Sequence, residues 1–257
     1  MTKKEIVQSY KEQKSVLYEN FKMQKAKLNA AYNSQLEAYR IQEGKPAVID
    51  PPKRPVLEEI GNSVTHGVGS IFSIIAYILM LVSADTAKEF IGASIYFFGL
   101  FALFTMSCLY HAFKHGSAVK RVFRRFDYSS IYLLIGATFA PILLCYVGGT
   151  YGTVFLIIQW LIIATGITFI GIFGPSKLKA LHMTLYIVLG WSGLMFLPQM
   201  LRGDFGFFFC ILLGGVIYSL GIIPFSLKKK SSHFIWHFFV LGGAIVQWLG
   251  IYLYLYL

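Results

Sequence analysis

His233 and His237 stand four residues apart in Ser231-Ser232-His233-Phe234-Ile235-Trp236-His237. On a helix the two rings share a face and can reach one metal ion. The plainer reading is a pair of histidines at a membrane boundary. His111 is the candidate third ligand, with Ser107 four residues before it on the same face. Three protein ligands and one open position make a catalytic zinc site, whereas four make a structural one. Imidazole suits zinc, and copper or iron less specifically. Asn62 and His66 have the same four-residue spacing, with Glu59 three residues before Asn62. They could orient ligands from another helix, or simply pack as polar residues at an interface.

These residues need elements to carry them, and composition says which. Hydrophobic residues make up 56% of the 257-residue chain and charged residues 14%, against about 25% charged in soluble domains. That excludes a disordered chain, a disulfide scaffold and an ordinary soluble enzyme. Residues 1–59 hold 19 charged side chains and residues 60–257 only 16, so a polar head precedes a membrane domain. Runs free of Asp, Glu, Lys and Arg cover 60–84, 90–113, 128–176, 180–201, 205–227 and 231–257. A span needs about 20 residues. The run 128–176 therefore holds two, divided at Gly148-Gly149-Thr150-Tyr151-Gly152. The expected fold is all-α, a seven-transmembrane helix bundle with spans near 60–84, 90–113, 127–147, 152–174, 180–201, 205–227 and 232–256.

Of the 23 Lys and Arg residues, 21 fall in the N-terminal segment and in alternate loops; only Lys88 and Arg202 fall in the others. The positive-inside rule then puts the N-terminus in the cytoplasm and the C-terminus outside. All six histidines come to the cytoplasmic half, although none was used to set the orientation. Only four acids follow residue 59, namely Asp85, Glu89, Asp127 and Asp204, and only Asp127 lies level with His111. Asp127 is the candidate general base, unless it caps the third span or pairs with Arg124 or Arg125. Glu58 and Glu59 stay open as bases. His115 is expected in a basic loop, and His182 as a satisfied interfacial residue rather than a ligand.

Residues 1–45 are expected to form a cytoplasmic charged helix, with Tyr10, Leu17, Phe21, Leu28, Tyr32 and Tyr39 at spacings of seven and four. It reads as a solvated or membrane-surface helix, or as a coiled-coil arm that would make a homo-oligomer. A Pro-rich linker is expected over 46–59, and no internal repeat is evident. The N-terminus lacks the apolar stretch of a signal peptide. Cys108, Cys145 and Cys210 sit in apolar runs without CxxC spacing, as buried hydrophobes. P-loop, GxGxxG, GxSxG and HExxH motifs are absent. The net charge of +11 lies in the N-terminal segment and loops, where orientation and anionic headgroups explain it without nucleic acid.

The set Glu59-x-x-Asn62-x-x-Thr65-His66, Ser107-x-x-x-His111, Asp127 and His233-x-x-x-His237 resembles the hemolysin III family in order, spacing and side of the membrane. That family is related to the progestin and adipoQ receptors and, more distantly, to the alkaline ceramidases. The resemblance covers about residues 56–257. It implies that His111, His233 and His237 bind zinc, that Asp127 and Ser107 hold the zinc-bound water, and that Glu59, Asn62 and His66 support the site. The expected activity is hydrolysis of a lipid amide at the inner leaflet of the plasma membrane. The relatives, not these residues, point to a ceramide-like or other N-acyl lipid, and an ester stays open. A sensor with structural zinc and a pore-forming cytolysin are the rival readings.

Overall fold

The computed structural model describes residues 2–42, 50–227 and 229–257. The chain divides into two units, Met1–Asp50 and Pro51–Leu257. In the first, α1 runs over Lys3–Gln42 with nearly every side chain exposed. The expected end of this helix before Gly44, the linker residues 46–49 and the loop cation Lys228 lie outside the described residues.

The second unit holds seven helices long and apolar enough to cross a membrane. Helices dominate because a bilayer offers backbone N–H and C=O groups no other partner. The spans are α2 (Val56–Ser83), α3 (Ala87–Ala112), α4 (Ala118–Pro141) with a π-helical extension Ile142–Val147, and α5 (Gly149–Phe173). A composite fifth span follows, then α8 (Phe205–Ser226) and α9 (Ser232–Leu255). Large side chains such as Ile71, Ile78, Leu161 and Ile172 face outward and exposed, as on a surface solvated by lipid.

Four features differ from the sequence reading. α2 starts at Val56 rather than near 60, just after Pro55, with Glu58 and Glu59 in the first turn, where the helix dipole favours acids. α4 starts at Ala118, where Ser117 caps it by accepting from the Lys120 amide at 3.1 Å. Asp127 therefore lies in the third turn of α4 and does not cap it. The fifth span is α6 (Lys179–Trp191), a 3-10 turn over Ser192–Phe196, and α7 (Leu197–Arg202). Pro198 at the start of α7 has no amide hydrogen for the ladder, so the α geometry cannot run through. The glycine break is tighter than expected: Gly148, at φ 64°, alone separates the π segment from α5.

α3 packs between α2 and α4, and α9 packs against α8 and α2. Without a hydrophobic drive between helices in lipid, small residues set how closely they approach. A Cβ on Gly99 would meet the Ala137 Cβ and lie 2.8 Å from the Leu133 carbonyl oxygen. Backbone cannot yield as a flexible side chain can. Gly99→Val should therefore cost about 1–3 kcal/mol, read as a lower thermal unfolding midpoint in detergent. An unchanged midpoint would mean that α3 and α4 can move apart freely.

Candidate metal centre

α2, α3 and α9 bring their histidine-bearing ends, and α4 its Asp127-bearing end, to one end of the bundle. His111 is the last residue but one of α3, and His233 and His237 lie on the first two turns of α9. Ligand atoms of these three residues all lie within 4.8 Å of one another. His111 Nε2 and His233 Nε2 are 3.3 Å apart. Two nitrogens each about 2.0–2.1 Å from a tetrahedral zinc would stand roughly 3.3 Å apart. The donors thus fit zinc in kind, and the His111–His233 pair also in spacing.

The other ring nitrogens are held by α2. His111 Nδ1 lies 2.5 Å from Glu59 Oε2. A carboxylate only accepts, so Nδ1 carries the proton and Nε2 offers its lone pair. The Asn62 amide lies 3.3 Å from the same Nδ1. Turning that amide over would aim its otherwise unpartnered Oδ1 at the N–H. His237 Nδ1 lies 3.1 Å from the Asn62 carbonyl oxygen and 3.3 Å from Thr65 Oγ1. Its Nε2 is likewise left free for an ion. Such outer partners fix tautomer and ring angle.

His66 touches the cluster differently. Its ring stacks on His237 with centroids 3.8 Å apart and meets the edge of Phe104 at 5.2 Å. Both ring nitrogens are buried without a protein partner. His182 lies apart from the triad, its Nδ1 2.9 Å from the Tyr132 hydroxyl. His115 is exposed in the turn after α3.

The sequence reading missed two cations. Lys120 is only 1% exposed. It pairs with Glu59 Oε1 at 3.1 Å, donates to the Phe113 carbonyl at 3.0 Å and sits 4.8 Å from the Tyr110 ring centroid. A chain Lys120–Glu59–His111 thus backs the triad. Arg54, just before α2, lies 3.9 Å from Glu58 and buries its Nη1 without a partner. The available signal for Lys120 was its seven-residue distance from Asp127, two turns of one helix.

Two cavities lie at this end. One, long and apolar, of about 190 Å³, is lined by Ser107, Asp127, His66, His233 and His237. Ser107 is within hydrogen-bonding reach of the Asp127 carboxyl. From the His233 level the cavity continues between α4, α6, α8 and α9 to Ile142 and Gln247, roughly 21 Å along α9. Its wall is apolar, and two lining residues, Ile187 and Leu194, are also exposed on the outside of the bundle. The second cavity touches His111 and Glu59 from the other side, among Lys53, Arg54, Lys114, His115 and Lys120.

Residues 55–248 match the family model described as haemolysin-III related. The chain is 36% identical over 204 residues to Hemolysin-3 of Bacillus cereus, covering 77% of this chain and 92% of that protein. It is 33% identical over 204 residues to a Hemolysin-3 homolog of Bacillus subtilis, covering 77% and 95%. A human protein named monocyte to macrophage differentiation factor is 30% identical over 205 residues, covering 77% and 85%. The matched range contains Glu59, Asn62, His66, Ser107, His111, Asp127, His233 and His237, and the seven apolar helices up to residue 248. The chain therefore belongs to the haemolysin-III-related family of multi-pass membrane proteins.

Proposed function

We propose that this protein is a zinc-dependent hydrolase that cleaves an acyl bond, most simply an amide, in a membrane lipid. The observation that carries the reading is three close histidine donors, two of which, His233 and His237, line the polar end of a long apolar cavity. His111, His233 and His237 would hold the zinc. When bound, the ion supplies Lewis acidity, lowering the pKa of a water toward about 7 and polarising a carbonyl.

The rest falls to the chain's own residues. The apolar cavity holds an acyl chain and excludes water around it. Asp127, with Ser107 orienting its carboxyl, accepts the proton of the attacking water and returns it to the leaving nitrogen. His66 offers unpartnered ring nitrogens to the substrate's polar group. Glu59 and Asn62 keep His111 and His237 in the ligand tautomer. The apolar wall gives ions no polar path, which weighs against the lytic reading in the relatives' name.

Lys53, Arg54, Lys114, Lys120, Arg124, Arg125, Lys177 and Lys179 gather at the end where the chain enters its first span. By the positive-inside rule that end is cytoplasmic, and the bacterial relatives favour the plasma membrane. Asp127→Asn is the test, on a fluorogenic N-acyl lipid amide and its ester counterpart. Turnover should fall by about 10²–10⁴-fold while zinc stays bound. Full hydrolysis by the variant would place the base elsewhere.

A further inference from the structure

Contrary to the sequence reading, an internal repeat is present, and it lies in α1. Residues 3–13, 14–24 and 25–35 align without gaps as KKEIVQSYKEQ, KSVLYENFKMQ and KAKLNAAYNSQ. Each begins with Lys, has Ile or Leu fourth, Tyr or Phe eighth, and ends with Gln. Tyr39 takes the fourth position of a following partial copy. Eleven residues make three helical turns plus roughly 20°. The fourth and eighth positions therefore form one nearly straight stripe: Ile6, Tyr10, Leu17, Phe21, Leu28, Tyr32 and Tyr39. Every one of them is exposed, Leu17 and Leu28 at 71%.

Charges flank and oppose that stripe. Lys3, Lys14 and Lys25 run along one flank, and Gln13, Gln24 and Gln35 along the other. Glu5, Glu12 and Glu19 point roughly 120–180° away from it, among Lys4, Lys11, Lys22 and Lys27. A helix of this design, with lysines and no acid beside its aromatic and aliphatic residues and a mixed-charge far face, suits an anionic lipid surface. A second copy fits less well. Only two apolar positions per eleven residues would form the seam, and the flanking lysines would find Lys or Gln across it, never an acid. Thirteen residues separate Gln42 from Val56, a tether of at most about 45 Å. The helix cannot drift from the bilayer that holds α2.

We propose that α1 lies along the membrane surface, its repeat-built stripe at the headgroup–acyl boundary and Lys3, Lys14 and Lys25 on anionic headgroups. This inference is independent of the hydrolase reading. The chain would be reconstituted full-length in nanodiscs of phosphatidylcholine, with or without phosphatidylglycerol. Nitroxide labels would be placed at Leu28→Cys on the stripe and at Glu12→Cys opposite, with Cys108, Cys145 and Cys210 replaced.

With phosphatidylglycerol, the label at 28 should be several-fold less accessible to a water-soluble nickel relaxant than the label at 12. Most of that shielding should vanish without the anionic lipid, at high salt, or in a Lys3/Lys14/Lys25→Gln variant. Equal shielding with and without phosphatidylglycerol would overturn the anionic recognition. Equal accessibility at 28 and 12 would overturn membrane contact. Dipolar broadening at 28 that disappears on dilution with unlabelled chain would make a second copy the occupant. Trypsin cleavage after Lys14 and Lys25 in the unsubstituted chain gives the same readings should the cysteine-free background fail to fold.

Discussion

Purified without chelator, the chain is expected to carry about one zinc ion, and the His233→Ala/His237→Ala variant none. Elemental analysis of the detergent-purified protein checks both. The effect should be all-or-none because α9 supplies two of three donors. His111 alone would leave one imidazole to compete with water for the ion. A sample with no metal in either form would end the hydrolase proposal. The imidazole edges would then be hydrogen-bonding groups at the head of an apolar cavity. Zinc kept by the double variant would place the ion elsewhere. His66 is the nearest further candidate, since its ring stacks on His237 and both its nitrogens lack partners.

Lys120→Met is expected to be the most damaging single change outside the triad. Lys120 is almost wholly buried and its ammonium faces Glu59 at 3.1 Å. Removing the ammonium leaves the part-buried Glu59 carboxylate charged with only the His111 N–H as its partner, at a cost of up to about 3–5 kcal/mol. The loss should appear as a lower unfolding midpoint. It should also appear as weaker metal retention, because Glu59 is the residue that fixes His111. Glu59→Gln/Lys120→Met separates the two effects. Stability should largely return, because no orphan charge remains. Metal affinity should stay about 10–100-fold down, as for other lost outer partners. If the double variant is as unstable as Lys120→Met, the damage comes from lost packing against Tyr110 rather than from the ion pair.

The triad was legible in the sequence because its chemistry sits on helices. A four-residue step puts His233 and His237 on one face without any knowledge of the fold. Alternating spans bring the end of α3 beside the starts of α2 and α9. Helix starts were less legible, because charge-free runs mark where polar residues stop, not where hydrogen bonding begins. Hence α4 starts nine residues before Asp127, and Lys120, counted among loop charges, turns inward to Glu59. Arg54 was hidden in the same way, in a segment read as linker. The break in the fifth span rests on Pro198, whose effect a length count over 180–201 cannot register. The repeat in α1 was missed because its spacings of seven and four resemble a heptad pattern until they are summed to eleven.

Ile187 and Leu194 line the apolar cavity and are also exposed on the outside of the bundle. In the proposed hydrolysis, a lipid entering past them would never have to leave the bilayer. Its encounter with the protein would be a search in two dimensions, governed by its mole fraction among the surrounding lipids and not by its concentration in the medium. The two products would then part company by solubility. A released acyl chain returns sideways into the bilayer, while a polar fragment can pass His111 toward the cationic cavity around Arg54 and Lys114. That separation would keep the two halves from recombining at the centre that divided them.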